Sequence, residues 1–204
     1  KKSETIFDLA RRFPNKTYRE LESYKDADRQ KEAVQMSKEK TLLGHKIIDN
    51  FLPKSDLIDL QTILTDKDFD WYYIPDINQN SPKDSLGSYF VHVAYSKEGV
   101  TRHMHRFSPI LSRLEGMKSL IRIKVNLYPR TPTLEVHAPH VDENYTHTGA
   151  IFSLNTCNGK TILEDGTEID SVANRVLLFD ASTPHSSTST TDSKARFNIN
   201  INYD

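Results

Sequence analysis

The sequence has one cysteine, Cys157, among 204 residues. A single thiol closes no internal disulfide, builds no thiolate zinc cluster and supplies no CxxC redox pair. Glycine is scarce too, at seven residues, and none of them makes a GxGxxG dinucleotide loop, a Walker-type phosphate loop or a GxSxG nucleophile elbow. HExxH is absent. No apolar run approaches the roughly 20 residues that a membrane-spanning helix needs. An excess of either charge is missing as well: 27 Lys+Arg stand against 28 Asp+Glu, for a formal net charge of -1. That balance argues against a dedicated nucleic-acid binder, which carries a basic excess or stripe. Apolar residues make up 36%, below the globular average, so many segments must be half-exposed. Nine Tyr, nine Phe and one Trp still argue against wholesale disorder. Cys157 itself sits in a Thr-Cys-Asn-Gly turn and reads as a bystander.

Composition changes near residue 45, which divides the chain into a charged N-terminal arm (1–44) and a main domain (45–204). Residues 1–40 hold 11 Lys/Arg, 8 Asp/Glu and no glycine. From Thr17 to Lys40 the mixed-sign pattern suits an exposed helix. Such an arm is either simply solvated or docks on a protein partner through Phe7, Leu9, Phe13, Tyr18, Leu21 and Tyr24. Beyond Gly44, Ser55 reads as the N-cap of a helix carrying Leu57, Leu60, Ile63 and Leu64. Ser108-Pro109 repeats a helix-start signature ahead of Ile110, Leu111, Leu114 and Met117.

From residue 120 the apolar period changes from 3.6 to 2. Ile121, Ile123, Val125 and Leu127 alternate with Arg122, Lys124, Asn126 and Tyr128, which predicts a strand with one apolar face. Phe197, Ile199, Ile201 and Tyr203 alternate with Arg196, Asn198, Asn200 and Asn202 in the same way. Shorter strands are expected at 149–154, 160–163 and 175–179. Helices followed by many short strands predict an α+β chain whose main body is a β-sandwich or barrel.

The chemistry concentrates in histidine and carboxylate. His140-Val141-Asp142 puts two metal-capable side chains at i and i+2, on one face of an extended segment. His185 follows Asp142 after 42 intervening residues and is expected in a loop; Arg196 comes eleven residues later. Two imidazoles and one carboxylate on one side of a metal leave the other side open, as a non-haem iron site requires. Of the remaining histidines, His103 and His105 read as exposed and His137 as structural. His147 has no spacing argument.

The ordered set His140-x-Asp142, His185 and Arg196 resembles the 2-oxoglutarate/Fe(II)-dependent oxygenases, particularly their prolyl-hydroxylase-like branch. The text between looks alike too: Gly149-Ala-Ile-Phe-Ser-Leu-Asn155, Gly159-Lys-Thr161 and Asn174-Arg-Val-Leu-Leu-Phe179. The likeness is densest to a compact group encoded by marine bacteriophages, and it covers residues 45–204 without the arm. It implies a double-stranded β-helix (jelly-roll) with helices packed on one sheet. It further implies His140, Asp142 and His185 as Fe(II) ligands and Arg196 as partner of the distal carboxylate of 2-oxoglutarate. A guanidinium's planar fork suits that carboxylate. Tyr128, Asn126 and Asn198 share the polar faces of their strands and are the further co-substrate contacts expected. The implied activity is hydroxylation, with O2 consumed and succinate and CO2 released. The substrate stays open: a peptidyl prolyl or other amino-acid side chain, a free amino acid, a nucleobase or a small metabolite. Residues 66–106 are expected to form much of its rim, with Trp71, Tyr72, Tyr73 and Tyr89 in contact. A phage-encoded enzyme would work in the host cytoplasm. The rival readings are a non-catalytic jelly-roll module, for example in a virion, and a cupin-like metalloenzyme such as an isomerase.

Overall fold

A computed structural model describes residues 44–75 and 88–204; the expectations for the arm lie outside the described residues. Two long antiparallel strands occupy the middle, β5 (Leu120–Pro129) and β11 (Ala195–Tyr203). Their register sets Ile199 opposite Val125, Ile201 opposite Ile123, Arg196 opposite Tyr128 and Asn200 opposite Lys124. Apolar residues therefore meet apolar ones on one face and polar residues meet polar ones on the other, since a period of two fixes the face of every residue.

The large sheet extends from this pair in both directions. On the β11 side follow β6 (Thr148–Ser153), β9 (Arg175–Asp180) and β1 (His45–Ile48). On the β5 side lie β3 (Tyr89–Ser96) and β2 (Tyr72–Ile74), with the short β4 (Gly99–Val100) paired to β3. A smaller antiparallel sheet runs β10 (His185–Ser187), β7 (Lys160–Leu163), β8 (Glu168–Asp170). The outer face of the large sheet is covered by helix α1 (Lys54–Leu64) and the single turn α2 (Ser108–Leu111). Leu60, Leu64 and Ile110 there join Ile123, Val125, Phe152, Val176, Ile199 and Ile201 in one buried cluster. Each such side chain is worth about 1.5–3 kcal/mol of transfer free energy. Ile151, Leu177 and Phe179 of the large sheet bury Ile169 of the small one, so a second core joins the two layers.

The expected strands are present, with ends shifted by a residue or so. The helix starts differ. Ser55 lies inside α1, which begins after Pro53 with no side-chain cap; the Ser55 hydroxyl turns to Asp56 instead. Ser108 likewise is the first residue of α2, because a 3-10 turn (Met104–Phe107) already leads into it. Leu114 and Met117 fall beyond that short helix. His185 is on β10 rather than in a loop. Among the described residues β1 and β8 were not read from the sequence, because their apolar residues are few, whereas residues 66–100, read as loops around short strands, hold β2, β3 and β4. No described helix is long and apolar enough to cross a membrane.

One local device ties α1's entry to the sheet. Asn174 adopts φ 67, a left-handed conformation that asparagine tolerates better than most residues. Its amide then accepts from Leu52 N and donates to Leu52 O, both at 2.8 Å.

Candidate metal centre

His140, Asp142 and His185 come together, with one donor atom from each lying within 4.8 Å of the others. The backbone explains the meeting. His140 N donates to His185 O at 3.0 Å and His185 N to His140 O at 2.9 Å, a reciprocal bridge that sets the two side chains abreast with ring centroids 4.5 Å apart. Asp142 is not in a regular strand, yet its N–H donates to Ala181 O at 3.0 Å, which carries the carboxylate round to the same point. His140 Nε2 and His185 Nε2 each stand 3.9 Å from an Asp142 oxygen.

The protonation states suit cation binding. His185 Nδ1 lies 3.0 Å from Thr183 O; a carbonyl only accepts, so Nδ1 carries the proton and Nε2 keeps its lone pair. Burial, then the neighbouring His185, pulls the His140 imidazole down to about 4 against the attraction of Asp142. Burial alone would raise the Asp142 carboxyl. Arg122, the amides of Asn202 and Asn200, and His185 outweigh it and hold the group well below the usual carboxylate range.

Those partners were not singled out in the sequence. Arg122 Nη2 donates to Asp142 Oδ1 at 2.6 Å, and Asn200 and Asn202 both donate to Oδ2 at 3.0 Å. Asn202 also reaches His147 Nε2 at 2.8 Å. Because His147 Nδ1 donates to Tyr145 O, its Nε2 is the acceptor and the tautomer is set. The polar alternation of β5 and β11 already displayed Arg122, Asn200 and Asn202; for His147 no sequence signal existed.

Arg196 is 1% exposed on the interior face of β11. Its Nε donates to Ser171 Oγ (2.7 Å), Nη1 to Lys160 O (2.7 Å) and Thr188 O (3.0 Å), and Nη2 to Thr161 Oγ1 (3.0 Å). All four acceptors are neutral, so a buried cation has no carboxylate among the described residues. The four bonds lock its plane and leave one Nη2 hydrogen and the charge for a ligand. Tyr128 lies beneath, with its ring centroid 5.8 Å from the guanidinium carbon. Burial keeps its hydroxyl protonated, raised from the ordinary tyrosine value. Asn126 and Asn198 bond to each other, Nδ2 to Oδ1 at 2.8 Å.

The other sequence expectations divide. His137 is buried, its Nδ1 2.7 Å from Ser187 Oγ and its ring beside Tyr128. His103 is mostly covered, packing on Phe69 and meeting Asp70 at 3.3 Å, so the reading of it as exposed is corrected: the turn before α2 folds it inward. His105 is exposed. Tyr72 and Tyr73 are exposed, while Tyr89 is buried and stacks on Tyr128 at 5.4 Å. Trp71 packs against Phe69 and Phe197. Cys157 is free and buried.

No known family model matches the sequence, and no curated protein sequence matches it. Solved structures do. A prolyl hydroxylase from Trichoplax adhaerens, in complex with a hypoxia inducible factor oxygen degradation domain peptide fragment, superposes with a TM-score of 0.60 at 16% identity, covering 88% of this chain and 92% of that one. A prolyl-4-hydroxylase from Pseudomonas putida gives 0.51 at 14% identity, over 78% and 92%. HygX from Streptomyces hygroscopicus, with nickel and 2-oxoglutarate bound, gives 0.52 at 9%, over 78% and 82%. The chain thus has the fold of the 2-oxoglutarate- and iron-dependent oxygenases.

Proposed function

We propose that the protein is an Fe(II)- and 2-oxoglutarate-dependent dioxygenase that hydroxylates an amino-acid-type substrate. The observation that carries this reading is the pairing of two features in one fold: a His-Asp-His donor set, and a buried arginine with no carboxylate partner among the described residues. The donor set fits the ion. It supplies two imidazoles and one carboxylate held anionic by three donors, the ligand types of an open non-haem iron site. Bound there, iron and 2-oxoglutarate would supply the oxidising chemistry, O2 being reduced as the co-substrate loses CO2 to give succinate and the substrate gains a hydroxyl.

The chain's own residues hold and orient. Thr183 O fixes the His185 tautomer, and Asn200, Asn202 and Arg122 aim Asp142. Arg196, clamped by neutral acceptors, meets the distal carboxylate with its remaining N–H and its charge, and Tyr128 lies beside it. The grouping with phage-encoded enzymes, and hence a place in a host cytoplasm, rests on the sequence resemblance.

The test needs no substrate. In air, protein with Fe(II) and 2-oxoglutarate should form succinate slowly, Asp142→Ala should abolish this, and N-oxalylglycine should block it. Calorimetry under argon should show Mn(II) and 2-oxoglutarate binding, with His140→Ala, Asp142→Ala and His185→Ala each losing the metal. No succinate together with no Mn(II) or 2-oxoglutarate binding would leave a non-catalytic module instead.

A further inference from the structure

The interior carries more positive charge than the proposed ligands neutralise. Arg122 is matched by Asp142. A divalent ion would add two positive charges, Arg196 and Lys124 one each, and 2-oxoglutarate only two negative ones. A zwitterion adds no net charge, so what a substrate can relieve is the local lack of a partner at Lys124, since an unpaired charge where water is scarce is unfavourable.

Lys124 is the cation with nothing to do. It lies on the polar face of β5 directly opposite Asn200, one of the amides that hold Asp142, so it stands beside the metal centre. Its ammonium meets no carboxylate and makes no hydrogen bond among the described residues; the contact it does make is with the face of Tyr89, 5.9 Å from the ring centroid. The side chain keeps some accessible surface, yet protein surrounds it closely enough for desolvation, then Arg122, to lower the ammonium to about 8 against the attraction of the Asp142 charge. Two amide oxygens next to it are also unsatisfied. Asn200 Oδ1 and Asn126 Oδ1 are buried without a hydrogen-bond partner. Asn200 cannot resolve this by flipping, because its nitrogen must face the Asp142 carboxylate. A free cation beside two free acceptors is the complement of a carboxylate beside an ammonium.

We propose that Lys124 anchors the carboxylate of the primary substrate, and that this substrate is a free α-amino acid rather than a residue inside a peptide chain. A residue within a chain offers neutral amides at its backbone and, unless its own side chain is acidic, would leave Lys124 unpaired. The proposal rests on the dioxygenase reading and narrows it.

The test is calorimetry on protein loaded with Mn(II) and 2-oxoglutarate, which binds without turnover. The probes are the common L-amino acids and their primary amides; the variants are Lys124→Met and Lys124→Arg, checked for folding by circular dichroism melting. At least one amino acid should bind wild type, its amide at least tenfold more weakly. Lys124→Met should lose tenfold or more for that amino acid, Lys124→Arg less, and neither should lose Mn(II) or 2-oxoglutarate affinity. The proposal is overturned if no amino acid binds the loaded wild type, if amide and acid bind alike, or if Lys124→Met keeps wild-type affinity. It is overturned too if Lys124→Met loses 2-oxoglutarate, since Lys124 would then serve the co-substrate. Wild type that takes up neither Mn(II) nor 2-oxoglutarate refutes the dioxygenase reading itself, a distinct result.

Discussion

Asn202→Leu should weaken metal binding about 10–100-fold although the residue touches no ion. The side chain is fully buried, and its Nδ2 donates to Asp142 Oδ2 at 3.0 Å and to His147 Nε2 at 2.8 Å. Leucine has a similar volume and no donor. The carboxylate would lose one of three donors, and a hydrogen bond to a charged group contributes about 1.5–3 kcal/mol. That converts to roughly 10–150-fold, in line with the effect of removing partners behind metal ligands. Asn198→Leu is the control. It lies on the same face of the same strand, is equally buried, and bonds Asn126 rather than Asp142. Titration with Mn(II) under argon should show the loss in Asn202→Leu and less than about a twofold change in Asn198→Leu. Equal losses would mean that any polar-to-apolar change on this face disturbs the site. No loss in Asn202→Leu would mean that Arg122 and Asn200 alone aim the carboxylate. Either result would refute the argument.

Gly159→Ala should cut 2-oxoglutarate affinity about tenfold or more with little change in Mn(II) affinity, because a Cβ there would lie 2.6 Å from Arg196 Cδ and 2.7 Å from Ser189 O; the backbone oxygen cannot swing away, so the guanidinium must leave its four acceptors. Asn174→Ala should destabilise the fold by about 2 kcal/mol, lowering the melting temperature by roughly 4–8 °C, through loss of both Leu52 bonds at a left-handed position; Asn174→Gly should recover part of it, and equal melting curves for all three proteins would refute this. Metal-free protein should lose stability as pH falls from about 6.5 towards 4. Burial, then Arg196 and His140, lowers the His137 imidazole to about 4 in the folded state. Its contribution is therefore whole above the unfolded value near 6.5 and disappears as protons favour the unfolded chain, by about 3 kcal/mol. His137→Phe should flatten the decline of melting temperature over that window; an unchanged decline would place its cause elsewhere.

How much was legible follows from which interactions have a period. The strands β5 and β11 stood out because long runs with one apolar face can only pair in one register, and the same alternation displayed Arg196 and Tyr128 together. The His140 and Asp142 spacing was legible locally, but what brings His185 to them is a backbone bridge across 45 residues, which has no local signature. Ser55 and Ser108 failed as caps for a positional reason: α1 starts after an extended Pro53, which has no side-chain acceptor, and α2 is entered from a 3-10 turn, so each serine already lies inside its helix. His147 was invisible because its role depends on Asn202, 55 residues away. The unpartnered oxygens of Asn126 and Asn200 show only in three dimensions.

The reciprocal backbone bridge between His140 and His185 has a mechanical meaning. The small sheet supplies His185, the segment running beside it supplies His140, and the large sheet supplies the three donors that grip Asp142. An ion held by all three side chains would be a rivet through both layers, shortening the excursions by which one sheet peels from the other. Anything that binds only the folded form adds RT ln(1 + [L]/Kd) to its stability. Loading the metal should then slow amide exchange in β10 and β7, far more than in α1 on the outer face, so that the candidate metal centre doubles as a clasp between the two sheets.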